Sequence, residues 1–354
     1  MSQLASTSDL DPFSLVRTEI ESVSNRLRRC ILTDIPVLEK AAEYFFQAGK
    51  EGKRLRSTIV LLMATSLSSH GPLPSMLEVD DSPASEHPKE LRRRQQRIAE
   101  ISELIHVASL LHDDVIDNSD SRRGLKAINI LFGNKVAILA GDFLLARASV
   151  SLASLQNSEV IALMSQVLEH LVNGEILQMN TSSENILSMD HYMKKSFYKT
   201  ASLIANSCKS VAVLAGCQPQ ESMAAWNYGR HLGLSFQLVD DILDFTSSQE
   251  ELGKPVGSDM RSGLATAPVL FAAEEQTELI PLIKRGFNQQ GDIQNALDMI
   301  YKTDGLNRAK EFAHFHAQEA AKSLQQLPPA LGEEAETSRA ALEEMTRKVV
   351  LRTK

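Results

Sequence analysis

The middle of the chain repeats apolar positions with the period of an α-helix. Apolar residues recur every three or four positions, no clear alternation typical of strands occurs, and proline is absent from Lys89 through Gln218. Because proline breaks helix interiors and a 3.6-residue period collects apolar side chains on one face, this pattern predicts long helices. The pattern is clearest in three segments: residues 134–155, 160–179 and 191–216. Two of these are apolar around much of their circumference, which predicts a central position.

One segment interrupts the helical pattern. Residues 69–93 contain four prolines among serines and aspartates, a composition that predicts a surface loop. The basic run that overlaps its end, at residues 91–97, predicts a solvated helix start. No polar linker divides the middle of the chain, so we predict one all-α domain over residues 1–354.

Composition narrows the classes of protein. Hydrophobic residues make up 43% of the chain and charged residues 23%, which is ordinary for a globular protein and excludes a fully disordered chain. The net charge of −8 argues against a general nucleic-acid binder, which carries a basic surface. The three cysteines have no CxxC spacing, which indicates neither a disulfide framework nor a zinc site.

The sequence predicts a soluble intracellular protein. No uninterrupted apolar run approaches the roughly 18 residues of a membrane span, and the first residues contain neither a signal-peptide core nor an Arg-rich transit segment. The choice among mitochondrion, plastid and cytosol stays open.

Two acidic clusters of the same design stand among apolar residues. They are DDVID, at residues 113–117, and DDILD, at residues 240–244. On a helix, positions i and i+4 share a face, so each cluster directs its first and last carboxylates the same way. Like charges at this spacing destabilise a helix by roughly 0.2–0.5 kcal/mol, which a bound cation offsets. Magnesium held by a few carboxylates and by substrate phosphates fits best; solvated helix ends are the alternative for a single cluster.

Basic residues accompany the acidic clusters. Arg122 and Arg123 follow the first cluster, and Lys53 and Arg56 lie in EGKRLRS. Guanidinium groups match phosphate oxygens bidentately, and lysine supplies a point charge. Each pair alone is typical of a charged surface, but together with the carboxylates the basic residues predict a site for a polyphosphate bridged by Mg²⁺.

These motifs resemble those of the trans-isoprenyl diphosphate synthases, and the resemblance covers about residues 36–352. The first cluster stands in LLHDDVIDNSDSRRG and the second in FQLVDDILDF; GDFLLARA, YKT and GKPVGSD lie between and after them in the family's order. Within the family, the chain is most similar to the long-chain polyprenyl, or solanesyl, diphosphate synthases of plants and their relatives.

The resemblance implies an isoprenoid-synthase helical bundle whose central cavity is flanked by two aspartate-rich helices. It implies a prenyltransferase that joins isopentenyl diphosphate to an allylic diphosphate with three Mg²⁺ ions per site. Carried over by motif, the metal-binding residues are Asp113, Asp114, Asp117, Asp240, Asp241 and Asp244. The substrate-binding residues are Lys53, Arg56, His106, Arg122 and Arg123, of which Arg122 would hold the allylic diphosphate. The residues at the reacting centre are Lys199, Thr200, Gln237 and Lys254.

His106 has a second interpretation. A lone histidine in ELIHVASLL is also typical of a satisfied core side chain, but its position seven residues before Asp113 matches the family. We therefore expect it to bind isopentenyl diphosphate.

Small residues before the first cluster indicate a long product. Ala108 and Ser109 stand where short-chain members of the family have bulky residues that close the product tunnel. Ser109, Ile105 and Ser102 would extend the tunnel wall one helical turn at a time. The candidates for its floor are Phe132, Phe143 and Leu144.

Other functions remain as alternatives. A short-chain synthase that makes geranyl or geranylgeranyl diphosphate shares the motifs. A class I terpene synthase is disfavoured because Asp244 and Ser248 stand where that class has Ser and Glu. A regulatory subunit of a heteromeric synthase is disfavoured because both acidic clusters and GKPVGSD are complete. Glu51 and Ser57 depart from the family's GGKRxRP, and Glu51 is expected to weaken binding of isopentenyl diphosphate. The resemblance also implies a homodimer, and a long prenyl product implies transient membrane contact at release.

Overall fold

The computed structural model describes residues 10–46, 54–67, 87–122, 125–182, 184–246 and 256–353. It confirms the all-α prediction, since the described part of the chain is helical apart from turns and one two-stranded ribbon. The helices of the first half are α1 (Pro12–Leu15), α2 (Arg17–Cys30), α3 (Pro36–Glu43), α4 (Leu55–Ser66), α5 (His87–Ile116), α6 (Ile128–Phe132), α7 (Asn134–Ala153) and α8 (Ser158–Met179). A 3₁₀ turn at Tyr44–Phe46 follows α3.

The second half continues in the same way. Its helices are α9 (Met189–Ser196), α10 (Ser202–Leu214), α11 (Pro219–Thr246), α12 (Ser258–Arg261), α13 (Ala267–Glu275), α14 (Leu279–Lys284), α15 (Asp292–Ile300), α16 (Gly305–Leu324) and α17 (Glu333–Leu351). A π-turn at Phe197–Ala201 joins α9 to α10. The ribbon pairs β1 (Ser121–Arg122) antiparallel with β2 (Leu125–Lys126).

The helices predicted from the apolar period are present. Residues 134–153 form α7, and residues 158–179 form α8. The third predicted segment contains α9, the π-turn and α10. Helical propensity and period therefore located these elements to within a few residues.

The loop predicted at residues 69–93 is wrong at its end. Residues 68–86 lie outside the described part of the chain, whereas α5 begins at His87 and includes residues 87–93. Pro88 is compatible with this helix because the first-turn N–H groups of a helix have no intrahelical partner.

The predicted solvated start of this helix is also wrong. Arg92 is 1% exposed, and its guanidinium donates to both carboxylate oxygens of Glu19 at 2.6 and 2.8 Å. Gln96 donates to the same carboxylate at 2.6 Å. A buried ion pair with a third hydrogen bond replaces the expected hydration, and the partner residue is too distant in sequence for a pattern to identify it.

The described chain divides into two compact units. The first comprises Met1–Leu168, Leu203–Trp226 and Leu324–Glu344, and the second comprises Glu169–Ser202, Asn227–Ser323 and Met345–Lys354. In the first unit, fully buried aliphatic residues such as Leu27, Ile59 and Leu104 form the core. Within the described residues, the core of the second unit contains two clusters, one around Met260 and Ile283 and the other around Leu238 and Ala309.

Among the described residues, two helices meet the length and composition criteria of a membrane span. They are α7, with a mean hydropathy of 1.7, and α8, with a mean hydropathy of 1.2. Neither helix is an uninterrupted apolar run, because charged residues occur within both. Core helices of soluble proteins meet the same criteria. In the most apolar 18-residue stretch of each helix, 39% of α7 and 22% of α8 is buried.

Candidate active site

The first acidic motif ends α5 in the first unit. Asp113 is half-buried and Asp117 is exposed. They are one helical turn apart, since the backbone N–H of Asp117 donates to the carbonyl of Asp113 at 2.8 Å. The i, i+4 relation predicted from the sequence is therefore present, and Asp117 places an exposed carboxylate on this turn.

The middle carboxylate of this motif has a structural partner. Asp114 is fully buried, and the guanidinium of Arg122 donates to its Oδ1 at 2.6 Å. Asn129 donates to the backbone carbonyls of Asp114 and Ser119, both at 3.1 Å. The turn after α5 is thus tied to the ribbon, and Arg122 is held beside the motif with 28% of its side chain exposed.

A second group of basic residues includes His106, two helical turns before the motif, and Arg56 of α4. The Nη1 of Arg56 is 3.1 Å from Nε2 of His106. Because arginine can only donate, Nε2 accepts and His106 carries its proton on Nδ1. The structure therefore brings together two residues that the sequence predicted to bind isopentenyl diphosphate, while Lys53 and Arg123 lie outside the described residues.

Glu103 fixes the start of α4 near these groups. Its carboxylate accepts from Arg54 at 3.0 Å and from the hydroxyl of Ser57 at 2.7 Å. Arg54 caps α4 with a φ of 52°, a left-handed conformation that is uncommon for residues other than glycine. The sequence analysis did not identify Arg54 or Glu103. The signal that could have identified this pair is the position of Glu103, three residues before His106.

A glycine lets α7 approach the first motif closely. A Cβ at Gly141 would lie 2.2 Å from Nε2 of His112, the residue before Asp113. The same nitrogen is 3.2 Å from the carbonyl oxygen of Ile138. The glycine of GDFLLARA therefore has a packing role that sets the position of α5.

The second motif lies on α11 in the second unit and begins a chain of hydrogen bonds. Thr200 donates to Gln237 at 2.6 Å, and Gln237 donates to Oδ1 of Asp241 at 2.8 Å. The hydroxyl of Tyr192 donates to Oδ2 of Asp241. Burial, followed by the nearby carboxylate of Asp259, raises the pKa of Asp241 to about 8 despite these hydrogen bonds. Three of the predicted residues are therefore connected, and Tyr192 was missed.

The other carboxylates of the second motif differ from Asp241. Asp240 is exposed over 59% of its side chain and pairs with Arg352 at 3.0 Å. Asp244 accepts from the backbone N–H groups of Ser258 at 3.0 Å and Asp259 at 3.1 Å. It thus caps α12, which carries the end of GKPVGSD, whereas Lys254 of that motif lies outside the described residues.

The π-turn presents Lys199 and Thr200. Single π-helical turns within α-helices are frequent at functional sites. Lys199 pairs with Glu175 and lies 3.3 Å from the side-chain oxygen of Gln178. A Cβ at Gly174 would lie 2.7 Å from Cγ of Lys199, so this glycine makes room for the lysine stem.

Two further contacts hold the same turn. A Cβ at Gly233 would lie 2.6 Å from Cα of Ala201, which shows that α11 packs directly on this backbone. The ring of His170 stacks on Tyr198 at a centroid distance of 4.7 Å. Glu175 and His170 were not identified from the sequence, because no local motif marks them.

The residues predicted to line the product tunnel lie in the first unit. Ala108, Ile105 and Ser102 are buried in α5, and Ser109 is half-buried with its hydroxyl donating to the carbonyl of His106 at 2.9 Å. Among the candidates for the floor, Leu144 is fully buried, and Phe132 and Phe143 are half-buried.

Comparison with known proteins extends these observations. The polyprenyl synthetase family matches residues 35–300. Solanesyl-diphosphate synthase 1, mitochondrial, of Oryza sativa subsp. japonica is 50% identical over 97% of this chain and 79% of its own length. Solanesyl diphosphate synthase 3, chloroplastic/mitochondrial, of Arabidopsis thaliana is 49% identical over 98% of this chain and 81% of its own length.

Solved structures of prenyl synthases are similar to this chain as well. The apo form of an Arabidopsis medium/long-chain length prenyl pyrophosphate synthase is 45% identical, with a TM-score of 0.78 over 98% of this chain and 100% of the other. A polyprenyl synthase from Caulobacter crescentus, crystallised with calcium and isoprenyl diphosphate, is 29% identical, with a TM-score of 0.81 over 99% of this chain and 100% of the other. With its two complete acidic motifs on helices of the expected fold, this chain belongs to the polyprenyl synthetase family of prenyltransferases.

Proposed function

We propose that this protein condenses isopentenyl diphosphate with an allylic diphosphate to make a long-chain all-trans polyprenyl diphosphate, as its solanesyl-diphosphate synthase relatives are named to do. The observation that carries the proposal is the construction of both acidic motifs. In each, the middle aspartate is buried and bonded to protein groups, while at least one flanking carboxylate is exposed. With this arrangement, the buried aspartate fixes the helix turn and the outer carboxylates can bind a ligand.

The donor set fits magnesium. Asp113, Asp117 and Asp240 carry carboxylate oxygens, which are hard ligands. In the part of the chain that the structure describes, these side chains do not form a group of three or more that could hold a metal ion by themselves. Magnesium is commonly bound by one or two carboxylates plus substrate phosphates and water. We therefore propose that these three residues hold Mg²⁺, three ions per site bridged by diphosphate, and that Asp114, Asp241 and Asp244 orient the motifs. When bound, the ions neutralise charge on the departing diphosphate.

The basic residues of the first unit suit diphosphate recognition. Arg56 and His106 are already in contact, and Arg122 is held by Asp114 with part of its guanidinium exposed. We propose that Arg56 and His106 bind isopentenyl diphosphate, together with Lys53 and Arg123, and that Arg122 binds the allylic diphosphate. The bidentate geometry of guanidinium groups favours this role over that of a simple point charge.

The polar residues of the second unit suit the carbocation that forms when an allylic diphosphate ionises. The hydroxyl oxygen of Thr200 and the side chain of Gln237 are held in one hydrogen-bonded chain, so their dipoles are oriented before the reaction. Preorganised dipoles lower a barrier more than mobile water does. Lys199, neutralised by Glu175, would hold the diphosphate without adding net charge near the cation, and Lys254 is assigned to the same centre by motif.

Small residues support a long product. Ala108 and Ser109 have small side chains on α5 about one turn before the motif, where a growing prenyl chain would extend. Leu144 is the buried candidate for the floor, and Phe132 and Phe143 are the half-buried ones. The solanesyl and hexaprenyl names of the relatives favour this product over geranyl or geranylgeranyl diphosphate.

Exposed apolar residues support a homodimer. On α7, Ile138, Leu139 and Val150 are 42%, 61% and 68% exposed. On α8, Val172 and Met179 are more than 60% exposed. Large exposed apolar surfaces mark interaction sites, and we propose that a second copy of the chain covers them in an intracellular enzyme that contacts membranes only at product release.

Turnover by the purified protein tests this function. The protein would be incubated with isopentenyl diphosphate, Mg²⁺ and each allylic primer in turn, and the products would be sized by chromatography. We expect long polyprenyl products that disappear in Asp113→Ala and persist in Asp120→Ala, an exposed aspartate just beyond the motif. A short product would refute the tunnel argument, and no product from a folded protein would favour a regulatory subunit.

A further inference from the structure

Arg352 lies directly beside the second acidic motif. Its Nη2 donates to Oδ1 of Asp240 at 3.0 Å and to the backbone carbonyl of Phe236 at 2.9 Å. Its guanidinium carbon is 3.9 Å from the centroid of the Phe236 ring. Because Phe236 and Asp240 are four positions apart on α11, Arg352 covers the helical face that carries the exposed carboxylate.

This contact is incompletely satisfied. The Nε of Arg352 is buried and has no hydrogen-bond partner among the described residues, although arginine has five N–H donors to satisfy. Only 17% of the Arg352 side chain is exposed, so this N–H group is desolvated without an acceptor, which is energetically unfavourable.

The second unit offers space for a movement of this side chain. A cleft of about 310 Å³ is bounded by Arg352 and Thr353, by Val239 and Thr246 of α11, and by residues of α16. Arg352 and Thr353 follow the last residue of α17 and are not helical, so the side chain can leave Asp240 without unwinding a helix.

We propose that Arg352 is an exchangeable counter-ion of Asp240, which it neutralises in the metal-free protein and leaves when a divalent cation binds there. The inference rests on the proposed role of Asp240 as a metal ligand. One positive group replaces another on the same oxygen, so the carboxylate is never left without a countercharge. Arg352 is a positioning residue in this scheme, and it makes metal binding weaker than Asp240 alone would allow.

Metal affinity measures this competition. Mn²⁺ binding would be followed by the loss of the paramagnetic resonance signal of the free ion, in wild type, Arg352→Gln, Asp240→Asn and the double variant. We expect Arg352→Gln to bind Mn²⁺ about two- to fivefold more tightly than wild type, the range for removing a partly exposed ion pair. In the Asp240→Asn background the same change should have an effect of less than about 1.5-fold, since the two residues are coupled.

Two controls separate charge from structure. Lys348→Gln removes the same charge from an exposed position on α17 and should leave Mn²⁺ affinity unchanged. Arg352→Lys keeps the charge and should bind Mn²⁺ with nearly wild-type affinity, even if the loss of stacking lowers stability.

Hydrogen exchange of wild type gives a second measurement that needs no variant. Adding Mn²⁺ should speed amide exchange in residues 350–353, because Arg352 loses its partner. Equal Mn²⁺ affinity in wild type and Arg352→Gln, or unchanged exchange on metal binding, would overturn the counter-ion role while leaving the proposed function intact. Absence of Mn²⁺ binding by wild type would overturn both.

Discussion

The two acidic motifs are nearly the same peptide in different electrostatic surroundings. In the first, buried Asp114 is neutralised by the full charge of Arg122 at 2.6 Å. In the second, the hydrogen bonds that buried Asp241 receives from the described residues come from the neutral groups of Tyr192 and Gln237, and burial raises its pKa to about 8. The first motif therefore balances the charge of its middle aspartate with an ion pair. In the second motif, the raised pKa of Asp241 reduces the charge of the middle aspartate.

The flanking carboxylates differ as well. Asp117 of the first motif is exposed at the end of α5, whereas Asp244 of the second caps α12. The exposed carboxylate of the second motif is Asp240, which pairs with Arg352. The comparison shows that two nearly identical five-residue motifs place their carboxylates on a helical face in the same way. The motif does not determine the burial, pairing or pKa of each carboxylate.

The largest expected effect comes from the proposed metal-binding carboxylates, of which both motifs carry at least one. Asp113→Ala and Asp240→Ala should each lower kcat by at least about 10³-fold, because each removes a proposed ligand of the ions that stabilise the leaving diphosphate. Steady-state kinetics with isopentenyl diphosphate would measure this loss. A decrease of less than tenfold in either variant would remove that residue from the metal-binding set.

The middle aspartates should separate the motifs by stability. Asp114→Asn leaves Arg122 without its charged partner and should lower the free energy of unfolding by about 2–3 kcal/mol. Asp241→Asn replaces a carboxyl group that already has neutral partners and should cost about 1 kcal/mol or less. Urea denaturation at neutral pH gives both values, and equal losses would contradict the electrostatic difference described above.

Two glycines test how rigidly each motif is supported. The added Cβ of Gly233→Ala meets the backbone of Ala201 at 2.6 Å, whereas that of Gly141→Ala meets the ring of His112. A ring can rotate and a helix backbone cannot, so we expect a loss of about 1–3 kcal/mol for Gly233→Ala and a smaller one for Gly141→Ala. Thermal unfolding of the two variants shows which substitution lowers stability more. Gly216→Ala does not serve as the control because its φ of +75° adds backbone strain.

A pH dependence of stability is expected in the second unit. The Nδ1 atoms of His231 and His316 are 2.8 Å apart, and burial lowers the pKa of each to about 4. Nearby Arg230 lowers both values further, whereas Glu319 raises them. Since an unfolded histidine titrates near 6.5, the unfolded chain binds more protons between pH 6.5 and 4, and stability falls as the pH decreases through this window.

Urea midpoints at pH 7.5 and 5 would measure this loss. Replacing both histidines with glutamine should flatten the profile in this range. Hydrogen exchange should locate the acid-induced opening in α11 and α16, and an opening confined to α5 would contradict the assignment to this histidine pair.

Much of the architecture could be predicted from local pattern. The 3.6-residue period located α7, α8 and the segment from α9 to α10, because helices are stabilised by side chains three and four positions apart. The i, i+4 relation of Asp113 and Asp117 followed from the same geometry. The motifs and their order identified the family, which the comparisons then confirmed.

The state of individual side chains could not be predicted in this way. Arg92 was expected to be solvated, yet Glu19, 73 positions away, holds it in the core. The raised pKa of Asp241 depends on its burial and on Asp259, its hydrogen-bond donor Tyr192 lies 49 positions away, and the pairing of Asp240 depends on Arg352, 112 positions away. The sequence by itself determined the helices, the motifs and the family, because those depend on spacing along the chain. Only the tertiary structure decided which carboxylates are paired, buried or exposed, because charge state depends on partners that folding brings within hydrogen-bonding distance.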